Sequence, residues 1–151
     1  MFEKAFVMYI CAETPIHPGS GTAIGGIADL PIQRERHTEF PIIQGSSLKG
    51  VLRNSACFIE IDNRCRTCGK RPDDVKKCEI LRRIFGSPEG IGGVSVTDAR
   101  ILAFPVRTLR GVFGWITCPL ILDRYKRDLE IVGIKADWIS PKPSSDEEAI
   151  V

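Results

Sequence analysis

Asp29 stands five residues ahead of the unbroken run Arg34-Glu35-Arg36-His37, within ADLPIQRERHTEFP at residues 28–41. A carboxylate beside guanidinium and imidazole groups is suited to handling phosphate. The cations bind the anion through charge-assisted hydrogen bonds, and the carboxylate can accept a proton or hold a hard cation. A solvated loop has the same composition, and composition alone does not choose between them. Just upstream, PIHPGSGTAIGGIADLP (15–31) has four glycines and three prolines, the content of a loop whose backbone comes close to something. Gly19 and Gly21 begin a G-x-G-x-x-G pattern, but its third glycine position is filled by Ile24. GSSLKG (45–50) lacks the Walker spacing. Both nucleotide-loop readings fail; backbone amides able to cradle a phosphate remain.

GSSLKGVLR (45–53) supplies further parts. Ser46 or Ser47 can cap a helix, whose opening amides and dipole favour an anion. Lys49 and Arg53, four apart, form a basic row beside them. A plain capped helix with exposed basic residues would read the same way. Cys65 and Cys68 form C-x2-C in the turn-like CRTCGK, with Cys57 before and Cys78 after. Four thiolates there would hold a structural zinc. The spacing is irregular, and Cys57 and Cys78 sit in apolar contexts, so core cysteines or a redox-sensitive pair fit as well. Cys11 and Cys118 fall in strand patterns and are expected in the core. Neither histidine, His17 or His37, lies in a nucleophile motif, so a Ser/His/Asp triad and a cysteine hydrolase are unsupported. Trp115 is expected in a core, with base stacking as the alternative.

These groups need elements to position them. The apolar stretch AFVMYICA predicts a buried first strand over about Lys4 to Glu13. FPIIQ predicts a short strand, Gly45 to Ser47 a turn, and the following residues a helix. Leu48, Val51, Leu52, Ser55 and Ile59 then share one mostly apolar face. Residues 60–71 are polar and cysteine-bearing and read as an insertion. RPDDVKKCEILRRIFG predicts a helix, with Pro72 and two aspartates at its start and two arginines and Gly86 at its end. VSVTDARILAFPV and GVFGWITCPLIL predict strands joined through RTLRG. A last helix runs from roughly Leu120 to Val132, and the tail ISPKPSSDEEAIV has no periodicity. This order predicts an α+β sandwich with an antiparallel sheet, for which a ferredoxin-like or RNA-recognition-type domain is the natural candidate.

The bulk composition agrees. A chain of 151 residues suits one domain with a core. Its 43% hydrophobic and 26% charged residues argue for a globular protein and against disorder. The N-terminal apolar run is short and leads straight into Glu13, Thr14 and Pro15, so it reads as a strand rather than a signal peptide. No window approaches the length of a membrane span. Cytoplasmic residence is the expectation, with cysteines free or metal-bound rather than paired. The net charge is +2, but residues 31–110 carry 15 Lys and Arg against 9 Asp and Glu. A basic middle suits a polyanionic partner, although ordinary surface charge accounts for that count equally well.

PIHPGSGTAIGGIADLPIQRERHTEFPIIQGSSLKGVLR (15–53) resembles the RAMP superfamily of CRISPR proteins. Within it the match is to the backbone-subunit family of the type III-B Cmr effector complex. GSSLKGVLR is similar to the general RAMP motif, and DLPIQRERHT to the motif of that subunit family. DARILAFPVRTLRGVFGWITCPLILDRYKRDL (98–129) continues the likeness, which covers most of residues 5 to 132. The resemblance implies a modified ferredoxin-like, RRM-like fold over residues 1–132, with the cysteine-bearing insertion at about 57–78. Residues 133–151 would begin an incomplete C-terminal part or form an unstructured tail.

The resemblance also implies several copies of the chain stacking along a CRISPR RNA with other Cmr subunits and presenting the paired target RNA. The family's cleavage site is the loop aspartate of its motif, here Asp29, and it requires a divalent metal such as Mg2+. His17, in HPGSG, matches a family position of less defined role. Lys49 and Arg53 match basic positions expected to face the guide backbone. Ser46 and Ser47, with Arg34, Arg36 and His37, complete the set expected to bind or position RNA. Members of the family are longer, so a truncated chain is expected. The insertion is not a general feature of the family, so a zinc at Cys57, Cys65, Cys68 and Cys78 is not implied by it. A non-catalytic RNA-binding scaffold and a zinc-stabilised interaction module remain as alternatives.

Overall fold

In the computed structural model, residues 3–21, 31–56, 78–109 and 111–145 are described. The chain divides into two units, His17–Arg100 and Met1–Ile16 with Ile101–Val151.

The first unit is built on short extended segments, each paired antiparallel with the next. Gly19 bridges Ile32, and Arg34 bridges Pro41. Strand β1 (Ile42–Ile43) then pairs with β2 (Ala99–Arg100), Ile42 opposite Arg100 and Ile43 opposite Ala99. A tight turn reverses the chain between Arg34 and Pro41. The Glu35 amide donates to the Phe40 carbonyl and the Glu39 amide to the Glu35 carbonyl, both at 2.9 Å. Glu39 takes a left-handed conformation to close it, with φ of 59°.

Helix α1 (Gly45–Ala56) follows β1 directly, and α2 (Glu79–Phe85) packs against it. Leu81, 1% exposed, and the buried Cys78 centre this core, with Ala56, Ile80 and Phe85 around them. Helix α2 ends at Gly86, whose φ of 88° is costly for any residue with a Cβ. The chain then doubles back: the Gly93 amide reaches the Arg83 carbonyl at 2.8 Å and the Val94 amide the Ile84 carbonyl at 3.0 Å. These bonds occupy carbonyls that a helix end leaves without intrahelical partners.

In the second unit, β3 (Phe104–Val106) and β4 (Gly114–Ile116) form an antiparallel pair, with Pro105 opposite Trp115. Helix α3 (Pro119–Ile131) opens with proline at its first position, where the missing N–H costs nothing. It closes in a Schellman turn. The Gly133 amide donates to the Glu130 carbonyl at 3.0 Å and the Ile134 amide to the Leu129 carbonyl at 2.9 Å, with Gly133 at φ 79°. That turn sends residues 134–140 back along α3. Trp138 stacks on Tyr125 with centroids 6.2 Å apart, and Ser140 Oγ donates to Asp123 Oδ1 at 2.6 Å. Tyr9 meets Tyr125 edge-on, their hydroxyls 2.5 Å apart.

The α+β character holds, and the predicted last helix differs from α3 by one residue at each end. Several expectations do not hold. Residues 4–13 form no strand and are largely exposed, Phe6 at 85%. An apolar run becomes a strand only where another backbone accepts its ladder of hydrogen bonds, and no described segment does so. Cys11 on that run is exposed, and Cys118 is half-buried at the N-cap of α3, so neither is the core cysteine expected. Trp115 is 59% exposed rather than buried, because its hairpin has two strands and no described layer over that side chain. Antiparallel pairing, by contrast, is as predicted: among the described residues β1 pairs with β2 and β3 with β4. On α1, Leu48 and Leu52 are half-buried while Val51 and Ser55 of the same predicted face are exposed. Ile59 lies outside the described residues, as does the predicted start of α2 at Pro72. Among the described residues no helix is long and apolar enough to cross a membrane.

Candidate nucleic-acid interface

Asp29 lies outside the described residues, but both ends of its segment are described and fixed. The Ser20 amide and hydroxyl both donate to the Pro31 carbonyl, at 2.8 and 2.9 Å. The Gln33 amide donates to the Pro18 carbonyl at 2.9 Å. Ser20 and Pro31, the chain positions on either side, are therefore clasped together.

Gln33 links that clasp to α1. Its side chain is among the few buried polar groups, 9% exposed. The Nε2 donates to the Gly19 carbonyl at 2.9 Å, while the Oε1 accepts the Gln44 amide at 2.9 Å. Its own carbonyl accepts the Ile42 amide at 3.1 Å. An amide side chain is one of the few that can donate and accept at once, and here it satisfies backbone groups on two different segments. Sequence reasoning passed over Gln33. The available signal was a single amide set between an apolar residue and a run of charges.

The opening of α1 differs from expectation. Ser46 and Ser47 are not caps: the helix begins at Gly45, which places both exposed serines inside its first turn. The Gly45 amide instead donates to Asp98 Oδ1 at 2.8 Å. A carboxylate satisfies an amide that the helix itself cannot, and it sits favourably at the positive end of the dipole. Asp98, just ahead of β2, was also missed, because its partner is far away in sequence. Gly45 is buried for a related reason: a Cβ there would lie 2.4 Å from the Val96 carbonyl oxygen. Lys49 and Arg53 follow on α1, one turn apart and both half-buried.

The turn carrying Arg34, Arg36 and His37 is braced from within. Arg34 Nη1 donates to the Glu39 carbonyl at 2.8 Å, so this arginine holds the turn closed. Glu35, its side chain only 10% exposed, accepts from the Thr38 hydroxyl and lies 3.7 Å from His37 Nε2. Arg36 and His37 are exposed on the outside of the turn. His17 is exposed immediately ahead of the Pro18–Gly19 segment. The structure therefore brings His17, Gln33, the Arg34–His37 turn and the start of α1 into one unit.

Of the four cysteines considered as zinc ligands, Cys57, Cys65 and Cys68 lie outside the described residues. Cys78 is buried at the N-cap of α2 and is disulfide-bonded. A thiolate ligand at that position would require its reduction. Among the described residues no three His, Cys, Asp or Glu side chains are grouped to hold a metal.

Residues 9–149 match the RAMP superfamily, and the chain belongs to it. Within that superfamily its likeness is to Cmr4 of the type III-B systems. It is 47% identical over 137 residues to the CRISPR system Cmr endoribonuclease Cmr4 of Pyrococcus furiosus, a match spanning 87% of this chain and 41% of that protein. It resembles the crystal structure of oligomeric Cmr4 from Pyrococcus furiosus with a TM-score of 0.64 and 43% identity, covering 89% of this chain and 43% of that one. A type III-B Cmr-beta structure in its apo state matches at 25% identity and a TM-score of 0.53, over 78% of this chain and 39% of that one. The chain spans about two fifths of the length of these relatives. The superfamily and the fold class expected from sequence both hold.

Proposed function

We propose that the chain binds CRISPR RNA and cleaves guide-paired target RNA, as part of a backbone subunit in a type III-B Cmr complex. The observation that carries this reading is the 47% identity, along 87% of the chain, to a protein named as a Cmr endoribonuclease. The geometry supports it. The segment bearing Asp29 is clasped at Ser20 and Pro31 and tied through Gln33 to a helix that presents Ser46, Ser47, Lys49 and Arg53.

RNA carries its own nucleophile in the 2′-OH, so cleavage needs alignment, deprotonation and stabilisation of charge on the phosphate. One carboxylate can meet the second need. Asp29 acts as the base on the 2′-OH from about 3 Å, or it holds a divalent ion. An ion such as Mg2+ would supply positive charge at the phosphate oxygens while keeping several of its waters. Lys49 and Arg53 neutralise guide phosphates, which binds without reading sequence. Arg36 and His37 position RNA from the outer side of their turn, and Arg34 holds that turn closed. Base pairing with the guide selects the target. Other copies of the chain and other Cmr subunits are the protein partners, and the cytoplasm is the compartment.

The test is Asp29→Ala in the assembled complex with guide RNA, complementary target and Mg2+. Guide binding is expected to persist while cleavage disappears. Cleavage at the unaltered rate would remove Asp29 from the mechanism.

A further inference from the structure

The Gln33 side chain occupies a position that the charged residues around it do not. It is buried, and it connects the clasp of the Asp29 segment with the residue just ahead of α1 through two opposite hydrogen bonds. The Nε2 donates to the Gly19 carbonyl at 2.9 Å, and the Oε1 accepts the Gln44 amide at 2.9 Å. Gly19 belongs to the strand-like segment whose next residue, Ser20, holds Pro31. Gln44 is the residue immediately before α1, and the next amide, Gly45, is fixed by Asp98. A displacement of either bond would therefore change where the Asp29 segment starts and ends relative to the helix bearing Lys49 and Arg53.

We propose that Gln33 is a positioning residue for cleavage: its amide sets the register between the clasped ends at Ser20 and Pro31 and the guide-facing helix α1. This rests on Asp29 being the reactive group, and it assigns to Gln33 a role in alignment, not in binding. Misplacing a reactive group by about 1 Å costs on the order of 100-fold in rate, whereas guide affinity depends on summed phosphate contacts. The two activities are therefore separable at this residue.

Gln33→Glu is the informative variant. The carboxylate keeps an oxygen to accept the Gln44 amide, but it turns a second oxygen toward the Gly19 carbonyl and repels it. When protonated, the same side chain donates to Gly19 as the native amide does. Burial raises the pKa of the introduced acid above its ordinary value of about 4.3. The titratable groups on the segments it joins are Asp98, which accepts from the Gly45 amide, and His17, two residues before Gly19, with Arg34 and Glu35 following it in the chain. Cleavage is measured under single turnover in the assembled complex, as the ratio of variant to unaltered protein at each pH.

At neutral pH the expected ratio is lower by roughly 10- to 100-fold, with guide binding unchanged and faster hydrogen exchange at the Ser20 amide. The ratio should climb as pH falls, while Gln33→Leu, which can neither donate nor titrate, stays low throughout. Ser20→Ala, which removes one of the two bonds to Pro31, is the milder companion and should slow cleavage several-fold without loss of guide binding. Unaltered cleavage in Gln33→Glu despite faster exchange at Ser20 would overturn the proposal. So would a loss of guide binding equal to the loss of cleavage, or a ratio that does not recover with acid. Each differs from the failure of Asp29 itself, in which Asp29→Ala still cuts.

Discussion

Two glycines five residues apart on α1 should respond in opposite directions to the same added methyl group. At Gly45 a Cβ would lie 2.4 Å from the Val96 carbonyl oxygen, 2.8 Å from the Thr97 carbonyl carbon and 3.0 Å from the Thr97 carbonyl oxygen. All three are backbone atoms, so no side-chain rotation relieves the contact. The helix start and the 96–98 segment must separate, and that movement also stretches the 2.8 Å bond from the Gly45 amide to Asp98. Overpacking of this kind costs about 1–3 kcal/mol, and loss of a hydrogen bond to a charged group costs about 1.5–3 kcal/mol. The better helix propensity of alanine returns at most about 1 kcal/mol. Gly45→Ala is therefore expected to destabilise the chain by about 1.5–5 kcal/mol. Gly50 is exposed and has nothing within 4 Å of the same hypothetical atom. There only the propensity term acts, so Gly50→Ala should stabilise by about 0.5–1 kcal/mol. Urea unfolding followed by far-ultraviolet circular dichroism measures both, with the slope m checked for constancy. A Gly45→Ala protein as stable as the unaltered one would refute the close approach. Equal effects at both positions would refute the argument that neighbouring backbone separates them.

Glu39→Gly removes the cost of a left-handed residue, φ 59°, while keeping the backbone groups that close the turn. A gain of about 0.5–1 kcal/mol is expected by the same urea titration. In the second unit, the hydrogen bond shared with Tyr9 is the main reason that the Tyr125 phenol is raised above its ordinary value of 10.0, with burial and the charge on Tyr9 adding to it. The raised value means that the folded state holds this proton more tightly than the unfolded state. The resulting stability is fully present below pH 10 and is lost as pH rises through the folded pKa. Thermal unfolding should show that alkaline loss, and Tyr9→Phe should make it smaller; an unchanged alkaline limb in Tyr9→Phe would count against the pairing.

Local signals carried much of the secondary structure. The helical spacing of Leu122, Tyr125, Leu129 and Val132 gave α3 to within one residue at each end. Gly86, after two arginines, marked the end of α2. Such signals act between neighbours within a turn or two, where sequence order and spatial order coincide. The family motif likewise pointed to the superfamily by residue order alone, and the superfamily assignment holds.

What the sequence could not determine is which groups meet across long separations. Asp98 reaches Gly45 from 53 residues away, and Gln33 reaches Gly19 and Gln44 from 14 and 11 residues away. None of these pairings has a periodicity, because each depends on how paired segments lie beside one another. The serines of GSSLKG carried the local signature of a cap, yet a distant carboxylate took the Gly45 amide and left them inside the helix. The N-terminal apolar run carried the signature of a strand, yet no described backbone pairs with it. A hydrogen bond needs its second partner in place, and only the tertiary structure decides where that partner stands.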